Sequence, residues 1–315
     1  MKLVLFEDAA KGMAPLNDIT PTYDLVFGTK KLRDFWSSRF PELELELASR
    51  WERPSKNEDD LLLLNSLAVG VDEEFSKALD AFAKGDLPEE KGMVEGKRLV
   101  YAYVSKRDVK AVMPFISGWL DEQDVGAIGQ KVMPIRTTHT VYDDLMKRNQ
   151  PKILVDTAWE FLAKSLDAIS AQIGGNGYYA GGSVGLIGSK IDNGTVAFGP
   201  TRVVNSTIKN SIIAGPAVIE NSFIENSYVG SYTVISKAHV KGLIGDLCVI
   251  SADVIDARVG SGSLILKELQ KDVKTNARWG AEGLATDELE IRLKSFFKDS
   301  GLASSFKRLQ GSPSS

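Results

Sequence analysis

Glu7 and Asp8 follow directly on the apolar run LVLF, Leu3 to Phe6. Carboxylate oxygens at a strand end suit a hard cation such as Mg²⁺, which takes one or two carboxylates and keeps several waters. A second acidic pair, Asp59 and Asp60, precedes the run LLLL at Leu61 to Leu64, and Asn65 follows that run. In an α/β sheet the ligand crevice lies outside the carboxyl ends of the strands, which favours Glu7, Asp8 and Asn65 over the Asp59 pair. Capping of a turn is the competing role for Glu7 and Asp8. Lys11, Lys30, Lys31 and Arg33 are the nearby cations. Positioned positive charge is what phosphoryl chemistry requires, although a solvated surface position is the commoner fate of a lysine. Far along the chain, His239 is the residue type most often used as a general base; a place on an exterior face or at a subunit boundary would also account for it.

Three kinds of segment must position these groups. Over residues 1–155 short apolar runs alternate with helical patterns: LVLF, then LELELA from Leu43 to Ala48, LLLL, and RLVYAYV from Arg98 to Val104. Strands alternating with helices predict an α/β sheet. VDEEFSKALDAFAKGD supplies one of those helices, with Phe75, Leu79 and Phe82 on a single face and Gly85 as its stop. Residues 156–177 read as a linker helix capped by Asp156, with a stripe of Leu162, Leu166, Ile169 and Ile173, ending in a glycine-rich turn. The glycines of GGNGYYAGGSVGLIGSK suit tight turns, because no strand-to-helix context surrounds them as a phosphate loop would need.

From residue 178 to 266 the chain repeats itself. Asn205 to Glu220 set above Asn221 to Ser236 share Asn, Ser, Ile, Asn, Ser, Val and Ile, and related units follow fifteen residues apart. Aliphatics recur every five or six residues at Ile208, Ile213, Ile219, Ile224, Val229 and Ile235, so each unit has three short sides. A rung of this kind cannot bury its aliphatics alone, but stacked rungs make one continuous core, which predicts a β-solenoid. Residues 267–315 form a last segment, in which DELEIRLKSFFKDSG has the capping and periodicity of an amphipathic helix and GSPSS closes the chain.

The 315 residues, 43% apolar, suffice for two domains. A formal net charge of −4 argues against a nucleic-acid partner, since phosphate neutralisation needs a concentrated basic face. One cysteine, Cys248, makes neither an internal disulfide nor a zinc cluster. With no apolar stretch long enough to cross a bilayer, the expected protein is soluble and cytoplasmic.

A coil of imperfect hexapeptides after an α/β domain resembles the sugar-1-phosphate nucleotidyltransferases with left-handed β-helix tails. These include the bifunctional N-acetylglucosamine-1-phosphate uridyltransferase and glucosamine-1-phosphate acetyltransferase. LVLFEDAAKGMAPLNDITPTYDLVFGTKKLRDFW is similar to the opening of a divergent archaeal and bacterial branch, LLLLNSLAVG to its next inner strand, and DLMKRNQPKILVDTAWEFL to its entry into the linker. The resemblance implies nucleotidyl transfer from a nucleoside triphosphate to a sugar 1-phosphate. It places nucleotide or sugar contacts at Pro15, Leu16, Thr20 and Gly28 and calls for Mg²⁺, for which the strand-end rule offers Glu7 and Asp8 with Asn65 beside them; Lys11 and Arg33 are the nearby cations that would stand in for the family's missing Arg. SKAHVKGLIGD is similar to an acetyltransferase segment, which would make His239 the base that deprotonates an amino sugar for acetyl-CoA. The chain lacks the family's G-x-G-T-R-M loop and the Arg of its T-R-P motif. A catalytically weakened sugar-nucleotide-binding or regulatory subunit is therefore the second reading, and an acyltransferase working through the coil the third. Coil faces packing about a threefold axis make a homotrimer the expected assembly.

Overall fold

The fold is taken from a computed structural model, which describes residues 1–8, 11–54, 59–70, 72–88, 91–116, 125, 128, 136–137, 152–174, 177–192 and 194–280. The expected helix at 287–301 lies outside the described residues. The chain divides into two compact units, one of residues 1–13 and 21–172, the other of residues 14–20 and everything from 173 onward. The linker helix thus groups with the α/β unit. The segment 14–20, expected inside the first domain, groups instead with the coil.

In the α/β unit β1 (Lys2–Phe6) lies between β4 (Glu44–Ala48) and β5 (Leu61–Asn65), parallel to both. A hairpin of β6 (Gly92–Glu95) and β7 (Arg98–Val104) adds antiparallel to β5, and β8 (Arg136–Thr137) ends the sheet in the order β4-β1-β5-β7-β6-β8. Alternation of strands and helices gave no warning of this antiparallel half. Its cause is local: Gly96, with φ +60°, opens a two-residue turn of the kind that joins antiparallel strands. LVLF and LLLL are unbroken apolar runs because both faces of these strands are covered. Leu3, Leu5, Leu62 and Leu64 face Trp36 of α1 (Leu32–Arg39) and Phe75, Leu79 and Phe82 of α2 (Glu73–Ala83). Val4, Phe6, Leu61 and Leu63 face Val109 and Val112 of α3 (Val109–Val112). Gly85 follows just past the end of α2, as expected from the sequence, and Asp72 caps its start, with Oδ1 accepting from the Phe75 amide. The linker helix α4 (Ala158–Ile173) starts later than expected. Thr157, not Asp156, caps it, its Oγ1 accepting from the Glu160 amide.

The second unit is a parallel β-solenoid. One side stacks β10 (Val184–Ile187), β13 (Thr201–Val204), β16 (Ala217–Glu220), β19 (Thr233–Ser236), β21 (Val249–Ile250), β23 (Leu264–Ile265) and β24 (Arg278–Trp279). A second stacks β9 (Tyr178–Gly181), β12 (Thr195–Phe198), β15 (Ile212–Ile213) and β18 (Tyr228–Val229); a third stacks β11 (Lys190–Ile191), β14 (Thr207–Lys209) and β17 (Phe223–Glu225). Ile208, Ile213, Ile219, Ile224, Val229 and Ile235, the aliphatics picked out by their spacing, all lie fully buried in one core.

Asn-Ser dipeptides build the corners. Asn205, Asn210, Asn221 and Asn226 have φ between +41° and +48°, the left-handed region that Asn tolerates best after Gly. Each following serine donates to a carbonyl two residues back and accepts an amide from the next turn: Ser206 Oγ from Ser222, Ser211 Oγ from Ser227, Ser227 Oγ from Gly242. Buried amides at the corners are thereby satisfied. One turn later the Asn is missing, as the period drops from sixteen to fifteen. Two sides then merge into the single long strand β20 (His239–Ile244), which pairs with both β17 and β18 and continues to β22 (Val254–Val259).

Candidate functional site

The parallel register sets Phe6 beside Asn65, so the carboxyl ends of β1 and β5 deliver their next residues to one edge. The order β4-β1-β5 makes this edge the point where the chain reverses its direction of winding, the usual place for a ligand. Asn65 Nδ2 donates to Asp8 Oδ2 at 2.7 Å and to the Leu99 carbonyl at 3.0 Å, while its Oδ1 accepts from the Leu67 amide. Glu7 turns to the other side. Its Oε1 accepts from the Thr22 amide, and Arg50 Nε lies 3.7 Å from Oε2. Thr22 and Ser66 share a hydroxyl contact of 2.6 Å beside it.

Arg98 occupies the middle of the edge. Its Nε donates to Asp8 Oδ2 at 2.6 Å, and its Nη1 to Asp156 Oδ1 and to the Val155 carbonyl. Burial works against the charge, but the two carboxylates outweigh it and hold the guanidinium above its ordinary pKa. The segment carrying Asp156 is itself strapped across the edge. The Val155 amide donates to the Leu67 carbonyl, the Gly70 amide donates to the Ile153 carbonyl, and the Glu95 carboxylate accepts from the amides of Ile153 and Leu154. Gly70 permits the approach, since a Cβ there would stand 1.9 Å from the Lys152 carbonyl oxygen.

Glu7 and Asp8 do not converge on one magnesium position in this arrangement. They point into different surroundings, and Asp8 Oδ2 is bonded to a guanidinium while its Oδ1 is buried without a hydrogen-bond partner among the described residues.

The remaining expected contacts are dispersed. Pro15 and Leu16 are buried in the segment 14–20. Thr20 Oγ1 donates to Asp246 Oδ2, and Asp18 Oδ2 accepts from the Ser261 amide and from Thr275 Oγ1. This segment is thus pinned to corners of the coil. Gly28, with φ +61°, sits in the hairpin of β2 (Val26–Phe27) and β3 (Lys30–Lys31); its amide donates to Ser165 Oγ of α4. Arg33 Nε pairs with Asp24 at 3.0 Å. Lys11 falls in a short 3₁₀ turn, Lys11–Met13. His239, at the start of β20, meets Glu225 Oε1 through Nε2 at 3.2 Å and stands edge-on to the Phe223 ring.

Sequence reasoning missed Arg98, Glu95 and Asp156. The signal was present in VEGKRLV, where Glu95 and Arg98 flank a glycine turn, but only a hairpin would bring both to this edge. No helix among the described residues is long and apolar enough to cross a membrane. No family model matches the chain, and no curated protein matches it.

Proposed function

We propose that this protein is a nucleotidyltransferase-like subunit that binds a sugar nucleotide rather than synthesising one. The observation that carries this reading is Arg98, whose guanidinium pairs with Asp8 Oδ2 and Asp156 Oδ1 and so places a fixed positive charge at the edge where nucleotidyl transfer would need a metal ion. The order of motifs from LVLFED to the linker helix supports the kinship, and the missing G-x-G-T-R-M loop and Arg support the loss of transfer. On this reading the coil is a left-handed β-helix that serves as scaffold for a cytoplasmic homo-oligomer.

The test pairs two measurements. Nucleoside triphosphates are screened against sugar 1-phosphates with Mg²⁺ for pyrophosphate release, and sugar nucleotides are screened by thermal shift. Raised melting temperature without pyrophosphate release is expected, because a ligand that binds only the native state stabilises it. Magnesium-dependent pyrophosphate release would restore the transferase reading, and the absence of any shift would remove the binding one.

A second reading, acyl transfer through the coil, is favoured by the His239–Glu225 contact, because a carboxylate orients a histidine base. Acetyl-CoA turnover on glucosamine 1-phosphate that vanishes in His239→Ala would establish it.

A further inference from the structure

The glycine-rich stretch YYAGGSVGLIGSKID forms the first turn of the coil, β9 to β11. Each of these three strands has a neighbour on one side alone: β12, β13 and β14 respectively. Their outer edges therefore present a ladder of backbone donors and acceptors with no partner strand among the described residues. Natural sheets protect such edges with proline, clustered lysines or a covering segment. Here there is no proline, and a single lysine, Lys190, is paired with Asp192 at 2.8 Å.

The same turn is apolar. Of the seven large hydrophobic residues exposed in the described chain, four fall on it: Tyr178, Tyr179, Leu186 and Ile187. Leu186 heads the interior column that runs through Val203, Ile219 and Ile235, each of them 0% exposed, yet Leu186 is itself 39% exposed because no described residue stacks on its outer side. A terminal repeat that stays in water ordinarily carries a polar outer face. Gly185, in the middle of β10, adds an independent sign. A Cβ there would meet no atom within 4 Å, so the coil does not need a glycine at this position. Glycine inside a strand often marks the close approach of another backbone.

We propose that this turn is a docking surface for the same turn of a second copy of the chain, related by a twofold axis that sets the two β10 strands antiparallel, edge to edge. A second copy supplies what the surface lacks: an open ladder of matching donors and acceptors and an equal apolar patch. Charge points the same way, because the turn carries one positive and one negative side chain, Lys190 and Asp192, which pair with each other, Asp192 also lying near Lys209 of the next turn. The turn thus has no net charge for an acidic or basic partner to recognise or to repel a copy. An isologous contact also closes on itself, so the edges do not propagate into fibres. The inference is independent of what the α/β unit binds.

Sedimentation equilibrium from about 1 to 100 μM, the range of ordinary subunit affinities, tests it on the full chain. The expected wild-type mass is an even multiple of 34.3 kDa. Ile187→Lys, whose side chain is 55% exposed, should halve that mass or raise the dissociation constant at least about tenfold, with an unchanged circular dichroism spectrum. Tyr178→Lys should act alike, and Ile187→Gln serves if the lysine variant does not fold. Amides of residues 184–187 should exchange more slowly in wild type than in the variant. A wild-type monomer, an odd multiple, or an even multiple that survives these substitutions overturns the proposal.

Discussion

Arg98 shows how much a single side chain can decide. Asp8 is 3% exposed and depends on that guanidinium for its counter-charge. Removing one partner of a buried pair leaves the other charge desolvated and alone. Arg98→Met should therefore lower stability by about 2–4 kcal/mol, seen as a lower urea midpoint with unchanged slope. Arg98→Lys should recover only part, because an ammonium cannot bridge two carboxylates as a planar fork does. Equal stability of Arg98→Met and wild type would show that the pair does not matter. Cys248 offers a different reading of burial. Desolvation pushes its thiol up to about 12, against about 8.5 in an unfolded chain. Between those values the unfolded chain gives up the proton and the folded chain keeps it. Stability is thus complete below about pH 8.5 and falls towards pH 12 by at most about 1.4 kcal/mol per unit. Cys248→Ser should flatten that decline, and iodoacetamide at pH 8 should label wild type only when denaturant is present. A thiol that reacts in the native protein would contradict its burial. For His239, whose neighbours Phe223 and Glu225 give it a packing role, His239→Ala is expected to leave the melting temperature nearly unchanged and to reveal no acetyl transfer lost.

At the scale of elements the corners of the coil are the informative feature. The sequence shows Asn-Ser recurring at fixed spacing but not which member carries the load. In the structure Asn supplies the left-handed backbone and Ser ties adjacent turns. Ser227→Ala would leave the Gly242 amide buried without its acceptor, a cost of about 1–3 kcal/mol. Ser236→Ala, at an exposed serine contact, should change stability by less than about 0.5 kcal/mol. Similar losses for both would mean that the serines matter by composition rather than by position. The hairpin of β6 and β7 is the element that sequence reading overlooked. A run such as RLVYAYV, six apolar residues after an arginine, has the same look in either strand direction, and only pairing with Leu61–Leu64 reveals that it is antiparallel.

Among the described residues, the coil and the α/β unit each bury a core of their own. Cooperativity arises from shared burial, so thermal unfolding followed by calorimetry should depart from two-state behaviour, with a van't Hoff enthalpy below the calorimetric one. Coincident enthalpies would show that the units melt as one.

The coil was legible in advance because a solenoid writes its geometry into a local period: Ile208, Ile213 and Ile219 had to face inward whatever the rest of the chain did. The buried strands LVLF and LLLL, and the helix through Phe75, Leu79 and Phe82, were legible for the same reason, since local periodicity and continuous apolarity survive any tertiary arrangement. Strand direction predicts that Glu7, Asp8 and Asn65 converge; Asp8 and Asn65 do, while Glu7 turns to Thr22 and Arg50. What only the tertiary structure decided is the state of those groups. Whether a carboxylate is open to a ligand or neutralised depends on which distant side chain reaches it, and Arg98 lies 90 residues from Asp8. Such a pairing has no sequence period, because it is fixed by the fold of the intervening chain rather than by any local geometry.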